Sequence, residues 1–214
     1  MNGRKVLAIS ASPSEMSKTV RLVEAVLGVL RAQGIDTEHL VLRDLDPAAL
    51  LAADFRVPSL AAFRDKVVGA HGLIVATPIY KASFSGLLKA GLDALPQFAF
   101  AGKVVLPLAT GGSLAHVLAL DYGLRPVFQS MGARHVVQSH FASDSDFPRG
   151  GEDIVLSEPS WAGLRFACDN FVYSLTDDHR ASMLGHPRPP NVVRQNGEAG
   201  QAGANGTSIG TRLA

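Results

Sequence analysis

Between residues 5 and 175, short apolar runs alternate with stretches whose apolar side chains return every three or four positions. The runs are KVLAIS (5–10), TEHLVL (37–42), GLIVAT (72–77), KVVLPLAT (103–110) and RHVVQSHF (134–141). The first, third and fourth lack a two-residue alternation, which predicts strands covered on both faces, as in a parallel sheet. The intervening stretches predict helices. Val20, Val23, Leu27 and Leu30 share one face, as do Leu60, Phe63 and Val67. Leu114, Val117, Leu118 and Leu124 form a third face, and Trp161, Leu164, Cys168, Phe171 and Leu175 a fourth. Repeated strand–helix alternation predicts an α/β three-layer sandwich. Five strands suit the flavodoxin-like order 2-1-3-4-5.

The pattern stops near Gly185. Residues 185–214 are rich in Gly, Pro, Asn and Ala with little to bury, so we expect a disordered tail after one domain spanning 1–184. The stretch ASDSDFPRGGEDIVLSEPS (142–160) reads as a solvated surface loop. Its acids loosely suggest a calcium loop, but Pro148 stands where a ligand is needed and the glycine is misplaced. The seven histidines form no metal-ligand cluster, so no metal is expected. A net charge of +1 supplies no field for nucleic acid or an anionic membrane. The single cysteine, Cys168, sits among Phe166, Phe171 and Val172 and reads as a small buried hydrophobe. The apolar run after MNGRK is too short for a signal peptide, and no stretch is long enough to span a bilayer. A cytoplasmic protein is expected.

In open α/β sheets ligands bind beyond the carboxyl ends of the strands. Three turns fall there. SASPSEMSKTV (10–20) offers the hydroxyls of Ser12, Ser14, Ser17 and Thr19, the charge of Lys18, and a helix N-terminus. That suits one phosphate; an ordinary N-cap at Ser17 is the simpler alternative. Neither a G-x-G-x-x-G nor a P-loop motif is present. The second turn, TPIYKAS (77–83), leaves a strand through Pro78 and sets Ile79, Tyr80 and Lys81 at the sheet edge. A ring with a hydroxyl and a cation suit a flat, anionic ligand. The third, ATGGSLAH (109–116), carries Gly111, Gly112 and Ser113, which let backbone approach a ligand. Together the turns suit flavin mononucleotide (FMN).

Four stretches, ASPSEMSKT, GLIVATPIYKASFSGLLKAGLDALP, GKVVLPLATGGSLAH and LDYGLRPV, resemble the NAD(P)H-dependent FMN reductase family. The likeness covers roughly residues 4–180 and is greatest to the flavin reductases of bacterial alkanesulfonate and methanesulfonate monooxygenase systems. The resemblance implies a flavodoxin-like fold, FMN with NADPH or NADH, and a homodimer or homotetramer. It implies hydride transfer from nicotinamide C4 to flavin N5 and delivery of reduced FMN to a partner monooxygenase. It places the phosphate loop on Ser12, Ser17, Lys18, Thr19 and Val20. Ring and ribityl contacts fall on Pro78, Ile79, Tyr80, Lys81 and Ser83, and on Thr110, Gly111, Gly112 and Ser113. Ser14 replaces an arginine common in the family, which predicts a weaker or rearranged phosphate contact.

Two further expectations concern helices. Along SFSGLLKAGLDAL (83–95), a helix expected to begin at Ser83, only Ser85, Lys89 and Asp93 make a polar stripe. So narrow a wet face predicts burial against a second subunit, with Leu88 or Leu92 in the interface. In VLALDYGLRPV (117–127), Pro126 interrupts a helical pattern and predicts a kink or a π-bulge. The resemblance points to Tyr122 as an inserted residue at a subunit interface, where it would ease flavin exchange. The rival activities are an FMN-retaining quinone or azo reductase and a flavodoxin-type electron carrier. The second is expected to be strongly acidic, which this chain is not.

Overall fold

Side chains of β1 (Lys5–Ser10) alternate between two cores. Val6 and Ala8 join one apolar cluster, Leu7 and Ile9 the other. That two-residue period puts a hydrophobic layer on each face of the sheet. The computed structural model describes residues 3–54, 56–147 and 156–176. The expected tail, 185–214, lies outside the described residues.

The strands β2 (Asp36–Val41), β1, β3 (Gly72–Tyr80) and β5 (Val104–Gly111) pair in parallel, in that order. Two short strands, β6 (His135–Val136) and β7 (His140–Ser143), follow along the outer edge of β5. This is the 2-1-3-4-5 order, with the fifth strand broken in two. The register explains the break. Val105 faces Val136 and Leu108 faces His140, so the edge carries one extra residue. The Val105 carbonyl accepts from Val137 N at 2.9 Å. Pro107, two residues on and facing the same way, has no N–H to offer, and the edge bulges past it.

Helices α1 (Lys18–Ala32) and α6 (Glu158–Thr176) cover one face. Leu22, Val23, Val26, Leu27 and Leu30 form the buried stripe of α1. Cys168 is buried in the same core, and that burial, with the nearby Asp169 charge, pushes its thiol up to about 12. Helices α3 (Pro58–Gly69), α4 (Gly86–Asp93) and α5 (Arg125–Ser130) cover the other face through Phe63, Leu88, Leu92 and Phe128. A short helix that the sequence pattern did not suggest, α2 (Pro47–Ala52), packs against α3 and α4.

Four sequence expectations are corrected. Strand β3 does not leave through Pro78; it runs to Tyr80 and turns into the antiparallel partner β4 (Ser83–Phe84). Pro78 is tolerated because of where its missing donor points. Ala76 accepts from Ala11 toward β1, and Pro78 faces the same side two residues later, where β1 pairing has ended. The following helix begins at Gly86, not Ser83. Ser85 caps it and is buried, so it is not part of a wet stripe; Lys89 and Asp93 do pair, at 2.6 Å. Leu88 and Leu92 lie in the core of their own subunit, which removes the expectation that a second subunit covers them. Gly91 is one reason the helix lies so deep. A Cβ there would stand 2.6 Å from Leu42 Cδ1.

Truncating Leu88 tests this placement. Leu88→Ala should cost about 2–5 kcal/mol of folding stability with no specific effect on subunit assembly. Urea unfolding, with mass by light scattering, checks both parts.

Candidate active site

The first turn does what its residue types require. Ser17 adopts an extended backbone and its hydroxyl accepts from Val20 N at 3.1 Å, capping α1. Helix geometry leaves the N–H groups of Lys18 and Thr19 without intrahelical acceptors. Ser12 Oγ accepts from Ser14 N, folding the loop tightly, and the Arg43 guanidinium donates to the Ser14 carbonyl. Thr19 is buried, and its hydroxyl is hydrogen-bonded at 2.7 Å to that of Thr110 on β5. The first and third turns are therefore tied directly.

The second turn is a two-residue hairpin. Lys81 (φ 51°) and Ala82 (φ 60°) both lie in the left-handed region, where Asn-Gly is the usual choice. Each costs roughly 1–3 kcal/mol that the flanking pairs Ile79–Phe84 and Tyr80–Ser83 must hold in place. The base of the hairpin is fixed by Ser85. Its N–H donates to Thr77 Oγ1 and its hydroxyl donates to the Ala11 carbonyl at 2.7 Å.

These turns enclose a cleft of about 300 Å³. Of the residues named from sequence, Ser12, Ser17, Lys18, Thr19, Pro78, Ile79, Tyr80, Thr110, Gly111 and Gly112 line it. Val20, Lys81, Ser83 and Ser113 do not. Val20 points its N–H back to Ser17, Lys81 projects to solvent at the hairpin tip, Ser83 pairs with Tyr80, and Ser113 caps a 3-10 turn, Leu114–His116. Gly111 is bare for packing as much as for access, since a Cβ there would stand 3.1 Å from the Phe141 ring. Ser14, whose hydroxyl the first turn offers although the family resemblance assigns it no contact, also lines the cleft, and two lining residues carry no sequence expectation: Met16 and Asp144. Asp144 comes from the 142–160 stretch and pairs with Lys18 at 2.8 Å. Its neighbour Asp146 accepts from the Ser143 N–H and from the hydroxyls of Ser143 and Ser157, and these bonds hold its carboxyl below the ordinary range against the opposing effect of burial. Among the described residues no three His, Cys, Asp or Glu side chains gather as a metal site.

A second cavity of about 380 Å³ is lined by Ala82, two residues along the hairpin from Tyr80, which lines the first. Ala115, His116, Leu118, Ala119, Tyr122 and Gly123 complete it. Its wall is the π-helical turn Leu120–Leu124, in which Arg125 N donates to Leu120 O. Pro126 follows at once, so the bulge that its missing donor predicts is present. Tyr122 is 79% exposed, in line with exposed Leu114 and Leu118. Elsewhere, His39 bridges Glu24 (2.6 Å) and Ser10 (2.9 Å). The Ser–His–acid order suggests a nucleophile, but Ser10 is fully buried, so no substrate reaches its hydroxyl.

A doubly wound parallel sheet with its cleft beyond the carboxyl ends of β1, β3 and β5 defines a protein of the flavodoxin-like class. The chain belongs to the NADPH-dependent FMN reductase family, whose model matches residues 4–148. It is 46% identical to the FMN reductase (NADPH) of Pseudomonas putida strain KT2440, over 89% of this chain and 94% of that one. It is 33% identical to the NADH-dependent FMN reductase SfnF of Pseudomonas fluorescens, over 77% and 88%. The apo NADH:FMN oxidoreductase EmoB superposes with a TM-score of 0.79 at 50% identity, covering 87% of this chain and 98% of that chain. The protein is thus an NAD(P)H-dependent FMN reductase, using FMN with NADPH or NADH.

The Thr19–Thr110 bond is the part of this site open to a direct stability test. Thr110→Val leaves a buried hydroxyl unpaired and should cost about 1–3 kcal/mol, with much of that recovered when Thr19→Val is added. A double-mutant cycle in urea checks it.

Proposed function

We propose that FMN binds in the first cleft, is reduced there by NAD(P)H, and leaves for a separate monooxygenase that desulfonates organosulfur compounds. The observation that carries the reading is the convergence of three strand ends on one cleft whose donors suit a phosphate at one end. The donor set fits the flavin. The Lys18 and Thr19 N–H groups, the Lys18 ammonium and the Ser12 and Ser17 hydroxyls would hold the phosphate. Tyr80, Ile79 and Pro78 would offer one wall to the ring system, and Gly111 and Gly112 their backbone. When bound, the flavin supplies the hydride-accepting centre and the nicotinamide the hydride. The chain's own task is to orient and exclude water, and no side chain needs to move a proton.

The second cavity supports a self-association role for the π turn. Leu114, Leu118 and Tyr122 offer an apolar line that a second copy would cover, giving a dimer or tetramer with Tyr122 beside the flavin. There it would loosen the flavin enough for release. Among the described residues no helix is long and apolar enough to cross a membrane.

Steady-state NAD(P)H oxidation with free FMN, run with both nucleotides, tests the reaction. Protein that dialyses colourless and oxidises either nucleotide only when FMN is added is the expected outcome. Protein that stays yellow and reduces a quinone or an azo dye instead overturns the exchange reading. Lys18→Ala should weaken FMN by about 1–3 kcal/mol and leave riboflavin nearly unchanged. Equal losses for both flavins argue against a phosphate contact.

Deleting Tyr122 should restore a regular helix, tighten flavin retention and suppress turnover with free FMN. A folded deletion variant that purifies colourless and cycles FMN at the parent rate removes the exchange role.

A further inference from the structure

We propose that Asp144 is a latch on the phosphate end of the cleft. Its carboxylate occupies the Lys18 ammonium in the free protein, so an arriving FMN phosphate must displace it, and the flavin is held loosely enough to exchange. The proposal rests on reading the first cleft as the FMN site.

The geometry points to it in three ways. The Asp144 carboxylate reaches from the first turn to the third. Oδ1 lies 2.8 Å from Lys18 Nζ, and Oδ2 lies 3.7 Å from the place a Cβ of Gly112 would take. Among the residues lining the cleft, Lys18 is the only cation and Asp144 the only anion. The resting cleft therefore carries no net charge, although its other donors suit an anion. A phosphate dianion that takes the lysine also meets a carboxylate within its reach, and like charges at that range repel.

The pair is able to open. The Lys18 and Asp144 side chains are 38% and 58% exposed, so water can take over either partner. Lys18 Nζ also lies 5.7 Å from the Phe147 ring centroid, a second station for the ammonium. Nor is Asp144 needed to shape its own segment. Ser143, Asp146 and Ser157 do that through their mutual hydrogen bonds. An acid with no local structural task, set on the one cation of an anion site, lowers affinity. That suits a flavin that must leave after each turnover and opposes a permanently held one.

Quenching of flavin fluorescence, titrated with FMN and with riboflavin, tests the latch on the parent, Asp144→Asn, Lys18→Ala and the double variant. Asp144→Asn should lower the FMN Kd roughly three- to tenfold, leave riboflavin within about twofold, and steepen the salt dependence of FMN binding. In the Lys18→Ala background the gain should shrink to less than about twofold, because the competition runs through the lysine. An unchanged or weakened FMN Kd in Asp144→Asn overturns the latch. So does equal tightening of both flavins, or an undiminished gain without Lys18. A different result strikes deeper. If Lys18→Ala weakens FMN and riboflavin alike, the phosphate does not sit at Lys18, and both the cleft reading and the latch fall.

Discussion

The buried hydroxyl and N–H of Ser85 hold together the edge on which everything else depends. One side chain caps α4 through Leu88 N and donates to the Ala11 carbonyl at the end of β1, while its N–H donates to Thr77 on β3. Three segments that are remote in sequence meet at one residue that is 2% exposed. Hydrogen bonds in so dry a place are costly to leave unmade, so the three segments have little freedom to drift apart. The Thr19–Thr110 pair repeats the device one strand over. The cleft is thus framed by buried polar ties, one beneath it through Ser85 and one in its wall through Thr19 and Thr110.

Two departures from regular geometry sit against each other on one wall of that frame. The hairpin tip keeps Lys81 and Ala82 left-handed, and the π turn carries one residue more than an α-helical turn would. They touch. A Cβ at Gly123 of the π turn would lie 3.7 Å from the Phe84 ring and 3.9 Å from Ser83 Oγ, both on β4. A change in the π turn would therefore press on the hairpin that carries Tyr80 into the first cleft and Ala82 into the second. The strain is local, but the contact joins the exposed face bearing Tyr122 to the hairpin that lines the first cleft.

Much of this was legible in the sequence, and the failures share a cause. Unbroken apolar runs gave the buried strands, and three-four spacing gave α1, α3 and α6. Pro126 announced the π turn because a proline removes a specific donor at a specific step. Pro78 misled for the same reason read too simply. A proline ends a strand only if its missing N–H faces a partner, and that depends on where β1 stops. Ser85 was read as wet because small polar residues at helical spacing look alike whether they cap or face solvent. Leu88 and Leu92 suggest a subunit contact because a sequence does not reveal how deep one helix lies. That depth hangs on Gly91 admitting Leu42. Asp144 carried no signal at all. Its partner is 126 residues away, and an acid in a polar loop reads as solvated.

That last case bears on how charge should be read in such proteins. The net charge of +1 excludes a broad field, yet it says nothing about a cleft where one lysine and one aspartate cancel at 2.8 Å. A dianionic ligand senses the local arrangement, because a surface charge more than about 8–10 Å off is largely screened at physiological salt. If FMN binds there as proposed, neutral hydroxyls and helix N–H groups would set the affinity that remains once the ion pair has been opened. The Thr19–Thr110 tie keeps those donors in place whether or not the lysine is engaged. On the reading proposed above, a rigid, neutral donor set beside a charge pair that can open would give recognition of a phosphate without a deep well. For a flavin that arrives oxidised and leaves reduced, that is the balance that turnover requires.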